Sequence, residues 1–191
     1  MKKVLIAATV GMLVAGSVAA QESPWLVRAR AVHLNMANVD STGLGLTVND
    51  KTIPEVDISY FFSKNIAAEL ILTVPQKQHV YSNGADLGTF KHLPPTLTVQ
   101  YHFTDFTGYK PYVGAGLNYT QITAEKISAG GGTNNVTLSD KSVGGALQAG
   151  VDIPLTKQVS LNIDVKKVYL KTHVYVGGAD GGTLKLDPVL F

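Results

Sequence analysis

The chain has 191 residues, with 16 Lys and Arg against 14 Asp and Glu for a net charge of +2, and no cysteine. So small a charge gives no basic footprint for nucleic acid. The missing thiols exclude a disulfide scaffold, Cys-ligated zinc and thiol catalysis, and suit an oxidising compartment where a stray thiol is a liability.

The chain opens Met1-Lys2-Lys3, runs apolar from Val4 to Val14 and reaches small residues at Val18-Ala19-Ala20. This is the pattern of a secretory signal peptide over residues 1–20, cleaved before Gln21. The competing reading is a membrane-spanning helix, for which the apolar run is marginal. No later stretch reaches the roughly 18 apolar residues a spanning helix needs, and residues 21–191 are expected to form one domain.

From residue 25 onward apolar and polar side chains alternate with a period of two, in segments of about ten residues. The first predicted strand, Trp25–Met36, sets Trp25, Val27, Ala29 and Ala31 against Arg28 and Arg30. The second, Ile53–Phe62, sets Val56, Ile58, Tyr60 and Phe62 against Glu55, Asp57 and Ser59. The third, Ile66–Val74, carries Ala68, Leu70 and Leu72 opposite Glu69. The fourth, Thr96–Phe103, carries Leu97, Val99, Tyr101 and Phe103 opposite Thr98, Gln100 and His102. The fifth, Tyr112–Ile122, has Val113, Ala115, Leu117 and Tyr119 opposite Gly114, Gly116 and Asn118. The sixth, Val143–Ile153, has Leu147, Ala149 and Val151 opposite Gln148, Gly150 and Asp152. The seventh, Val159–Leu170, has Leu161, Ile163 and Val165 opposite Asn162, Asp164 and Lys166. The eighth is predicted from Thr183 to Phe191.

Connections near 63–65, 104–110 and 155–158 are short; those near 37–51, 76–93, 124–141 and 172–182 are long. Gly130-Gly131-Gly132 reads as a flexible loop tip. Short and long connections alternating around an even number of strands predict an all-β fold: an eight-stranded antiparallel transmembrane β-barrel of up-and-down topology. In bacterial outer-membrane barrels the short turns are periplasmic, so both termini of the mature chain are expected on that side. A soluble β-sandwich or lipocalin-type barrel alternates too, but turns its apolar face inward. Two features favour lipid. The polar faces carry more charge than a soluble core tolerates. Aromatics also gather in two belts: Trp25, Tyr60, Phe62, Tyr101 and Phe103 at one end, Tyr119 and Tyr169 at the other.

A barrel of this size has an interior that side chains just fill. Arg28, Arg30, Asp57, Glu69, Asp152, Asp164 and Lys166 are therefore expected to pair as a polar plug, because an unpaired buried charge is very costly. The same inward phase continues as Val32, Leu34, Met36, Ile53, Ile71, Ile122, Val168 and Leu170, so the interior turns apolar toward the long connections. Such a lining suits small hydrophobic ligands; alternatively these residues merely pack beneath the loops.

The segment from His92-Leu-Pro-Pro-Thr96 to Phe103 resembles the OmpW/AlkL family of small outer-membrane barrels. So do Lys110-Pro-Tyr-Val-Gly-Ala-Gly-Leu-Asn-Tyr-Thr120, Gly150-Val-Asp152, Leu186-Asp187-Pro188, Trp25-Leu-Val-Arg-Ala29 and Asn65-Ile66 ahead of Glu69-Leu70. The likeness covers nearly the whole mature chain. It implies a monomeric barrel in outer-membrane lipid, placed there by the outer-membrane assembly machinery. It implies passive passage of small hydrophobic molecules, with entry from outside, a polar block below and lateral exit through the wall. Pro54, Pro94 and Pro95 are candidates for the lateral opening, because proline donates no ladder hydrogen bond; strand termination is their commoner role. The family's last strand continues well past its Asp-Pro pair, whereas this sequence stops three residues after Pro188, so a clipped last strand is expected.

No catalytic machinery is expected. His33, His79, His92, His102 and His173 lack zinc-site spacing, Gly114-Ala-Gly116 opens no dinucleotide loop, and no nucleophile elbow occurs. No metal or cofactor is implied. The rival functional readings are a loop-borne receptor, adhesion or structural role, and a weak ion channel.

Overall fold

The computed structural model describes residues 23–128 and 135–191. The expected signal peptide and the Gly130-Gly131-Gly132 tip lie outside these residues. The strands, in chain order, are β1 Trp25–Asn35, β2 Val39–Asp40, β3 Leu46–Val48, β4 Lys51–Phe61, β5 Ile66–Thr73, β6 Gln76–Ser82, β7 Ala85–Leu93, β8 Thr96–His102 and β9 Lys110–Ile127, followed by β10 Val136–Leu138, β11 Lys141–Pro154, β12 Ser160–Val168, β13 Lys171–Val176, β14 Ala179–Lys185 and β15 Val189–Leu190.

Eight of these strands form a closed antiparallel ring, running β1, β4, β5, β8, β9, β11, β12, β15 and back to β1. Seven of these correspond to predicted staves; the eighth, β15, is only the last part of the strand predicted from Thr183 to Phe191. Their apolar faces point outward: Leu70, Val99, Leu117 and Ile163 are 40%, 59%, 66% and 51% exposed. Arg28, Asp57 and Glu69 are buried on the inner face. A soluble sandwich or lipocalin would reverse this arrangement. At the rim with short turns, Trp25 stands opposite Tyr60, their rings 4.8 Å apart, and Tyr101 meets Phe103 at 5.1 Å. Phe62 is exposed at the same rim, its ring 5.1 Å from Tyr60, and Tyr119 and Tyr169 face outward nearer the other rim.

The four long connections are not loops, contrary to expectation. Each holds paired strands: β2 and β3 in the first, β6 and β7 in the second, the end of β9 with β10 in the third, and β13 with β14 in the fourth. Their own alternation turns Leu46, Val80, Val136, Val174 and Leu184 inward, where they join the core of the staves. Pairing therefore runs on beyond the length that crosses lipid. The β6–β7 hairpin turns at Asn83-Gly84, both with positive φ (48° and 87°), as a two-residue primed turn requires.

The last predicted strand is also corrected. Thr183 pairs with His173 in the β13–β14 extension. The chain then bends at Asp187, with φ of 33°, and at Pro188, which has no N–H to give a ladder. Only β15 enters the ring, against Leu34 and Asn35 on one side and Lys166 and Lys167 on the other. Among the described residues no strand lies between the rest of β1 and β12. There Arg28 and Arg30 reach across to Asp152 and Asn162.

Candidate functional site

Alternation on β1, β4, β5, β11 and β12 brings every predicted plug residue into one layer at the short-turn end of the interior. Arg28 donates from Nη1 to Glu69 Oε1 at 2.8 Å, and from Nη2 and Nε to the two carboxylate oxygens of Asp152 at 2.7 and 3.2 Å. Arg30 donates from Nη2 to Glu55 at 2.9 Å and to Asp57, and its Nη1 lies 3.5 Å from Asp164. Lys166 Nζ donates to Glu55 Oε1 at 2.9 Å. Neutral donors fill much of the rest: Gln148 and Tyr112 both give hydrogen bonds of 2.9 Å to Asp164, and Asn162 gives one of 2.8 Å to Asp152. Arg30 Nε and Asp57 Oδ1 are buried without a partner, but the remaining contacts hold the charges in position, because removing one partner strands the others.

Two members of this layer were not singled out from the sequence. Glu55 shares the inward phase of Ile53 and Asp57, and that phase alone would have found it. Tyr112 shares the phase of Gly114. Its buried ring lies under the Arg28 guanidinium at 5.2 Å and stacks on His102 at 4.9 Å. Gly150 makes room for it: a Cβ there would sit 2.5 Å from Tyr112 Cζ.

Beyond this layer the interior changes character within one turn of the pleat. Val32, Leu34, Met36, Ile53, Ile122, Val168 and Leu170 are all buried in one apolar cluster, and Ile71 is buried beside them. They are packed closely. A cleft of about 30 Å³ remains among Leu34, Ile53, Ile71, Val168, Leu170 and Leu190, with Glu55 and Lys166 at one end and His92 and Asn118 in its wall. That is enough to admit a water molecule.

The same cleft is bordered by Leu72, Thr73 and Pro94, where the wall is interrupted. The β4–β5 ladder ends at Glu55 and Thr73, and the β5–β8 ladder ends at Ile71 and Thr96. Pro54 flanks this end of β5 on one side and Pro94-Pro95 on the other, so the three predicted prolines frame one break. Pro54 O accepts from Thr73 Oγ1 at 2.6 Å, which points residue 54 toward β5. Pro95 O accepts from Tyr119 N on β9, so by alternation Pro94 faces β5. Each of these two prolines withholds a donor from the same strand end. Side-chain amides reach the carbonyls here: Asn118 donates to Pro94 O at 3.2 Å and, as a second donor, to Pro95 O at 3.3 Å, and Gln76 to Val74 O at 2.8 Å. Inside a membrane such replacement is needed, because no water is there to supply it.

The OmpW family model matches residues 15–191. The chain is 43% identical over 183 residues to the outer-membrane protein y4mB of Sinorhizobium fredii, spanning 91% of this chain and 79% of that protein. It is 32% identical over 188 residues to outer membrane protein W of Vibrio cholerae, spanning 90% and 86%. Its fold matches the crystal structure of OprG from Pseudomonas aeruginosa with a TM-score of 0.72 at 22% identity, over 87% of this chain and 90% of that one.

Proposed function

This chain belongs to the OmpW family of bacterial outer-membrane barrels, and on that premise we propose that it is a passive conduit for small hydrophobic molecules. They enter the apolar interior from outside the cell, are stopped by the ion-paired layer, and leave sideways into the membrane at the break framed by Pro54, Pro94 and Pro95. In this reading the short-turn rim and both termini of the mature chain face the periplasm. A signal peptide over residues 1–20 directs export, and the assembly machinery inserts the barrel as a monomer.

The observation that carries the proposal is the contrast between two adjacent layers and the position of the break beside one of them. Parting Leu34, Ile53, Ile71 and Val168 around an apolar solute exchanges one apolar contact for another. The solute itself gains about 25 cal/mol for each Å² it removes from water. Opening the layer beneath separates buried ion pairs, at about 3–5 kcal/mol for each partner left alone. A hydrophobic molecule therefore travels through the upper layer and meets the interrupted wall before it can pass the charges.

The test is uptake of a nonpolar solute by cells carrying the wild-type chain or Leu34→Asp. An aspartate in the apolar layer is expected to cut uptake at least tenfold, in keeping with the cost of about 2 kcal/mol or more for an unpartnered polar group there. Unchanged uptake through a normally folded variant overturns the proposal.

A further inference from the structure

The apolar layer contains one polar feature that the conduit reading leaves unused. His92 on β7 is 2% exposed and Gln78 on β6 is 0% exposed. They face one another inside the barrel, with Gln78 Nε2 3.5 Å from His92 Nε2. His92 Nδ1 and Gln78 Oε1 are both buried and have no hydrogen-bond partner. His92 lines the cleft together with Leu34, Ile53, Ile71 and Val168. A buried polar atom without a partner is costly, and two such atoms stand on neighbouring side chains, one of which, His92, lines the cleft beside the wall break.

We propose that His92 recognises a hydroxyl group, and that the conduit prefers small alcohols and phenols to hydrocarbons of the same size. The inference rests on the conduit reading and names its substrate class. The chemistry follows from the pair. When the Gln78 amide donates to His92 Nε2, the proton of the neutral ring sits on Nδ1, which then offers an unused donor. When the ring instead donates from Nε2 to the Gln78 oxygen, Nδ1 offers a lone pair. A hydroxyl both gives and accepts a hydrogen bond, so it satisfies Nδ1 in either tautomer. A carbonyl or ether serves only the first, and an alkane serves neither. A carboxylate or ammonium group is excluded by the cost of bringing a charge into this apolar layer. Gln78 acts as a positioning residue, because its amide fixes which face of the ring is free.

Two measurements test this. The full chain, labelled with 15N-histidine and reconstituted in lipid bilayers, is exposed to 1-octanol or to n-octane. The His92 Nδ1 resonance, assigned through its own side-chain carbons, is expected to move with 1-octanol and stay with n-octane. An equal response to both solutes, or none to 1-octanol, overturns the proposal, and this experiment needs no variant to fold. In the second, cells carrying the wild-type chain or His92→Phe take up the two solutes side by side. The ratio of 1-octanol to n-octane uptake is expected to fall about two- to tenfold in the variant, the range of one net hydrogen bond. An unchanged ratio contradicts the proposal. If neither solute enters through the wild-type chain, the conduit reading itself falls, and the Nδ1 response alone decides whether the hydroxyl site exists.

Discussion

Arg28 serves two carboxylates at once, Glu69 through one branch of its guanidinium and Asp152 through the other branch and Nε. Replacing it with the apolar Arg28→Met leaves both carboxylates buried without their cation. The expected loss is about 3–5 kcal/mol, read from urea titration of the barrel folded in lipid vesicles; a loss under about 1 kcal/mol contradicts the pairing described here. Asp40 does comparable work outside the lipid. Its Oδ1 accepts from the Thr42 amide and hydroxyl at 2.9 and 2.7 Å, and its Oδ2 accepts from Leu46 N at 3.0 Å. Partial burial acts to raise its pKa, but the hydrogen bonds from Thr42 and Leu46 outweigh that effect and hold it below the ordinary 3.8. Because the folded value is the lower one, the stabilisation is present above the ordinary value and is lost as pH falls through the folded value. Exchange of the Thr42 and Leu46 amides should therefore stay slow at pH 5 and speed up only below pH 3.8, whereas Asp40→Asn should exchange faster wherever the carboxylate of the wild-type chain is ionised. Equal exchange in the two proteins at pH 7 would rule this out.

At the scale of the strand, the decisive feature is the upper end of β5, from which prolines on both neighbouring strands withhold a donor. Pro94→Val restores an N–H on the side facing β5, and one ladder bond is worth about 1 kcal/mol. The variant should be more resistant to urea, and uptake of a nonpolar solute should slow several-fold as the break zips shut. Faster or equal uptake would remove these prolines from the exit. The strands of the ring were legible in the sequence because each one sets a strict apolar face against a mixed one, as Val27 and Ala29 do against Arg28 and Arg30. The paired strands beyond the membrane were not. Leu46, Val80 and Leu184 stand in stretches rich in Gly, Asn and Asp, which read locally as loops. What makes strands of them is the continuation of the neighbouring ladder.

At the scale of the whole molecule, the two layers leave the interior filled with side chains rather than with water. The ion-paired layer fills its cross-section with Arg28, Arg30, Lys166, Tyr112 and their partners, and the apolar layer lies directly on top. Planar-bilayer recording of the wild-type chain should give no current proportional to salt concentration. Large, salt-proportional currents would favour the ion-channel reading and remove the plug.

The sequence by itself determined seven of the eight staves, the inside and outside of the wall, and the height at which the lining changes from charged to apolar. The staves and the change of lining depend on the two-residue period of a strand, which every segment carries locally; which face is outside was read in addition from the charge on the polar faces and from the two aromatic belts. The tertiary structure decided which charges meet, that Glu55 and Tyr112 belong among them, that three prolines distant in the chain frame one break, and that His92 faces Gln78 within the apolar layer. Each of these depends on the register between neighbouring strands and on the closure of the ring, neither of which a single strand's pattern contains.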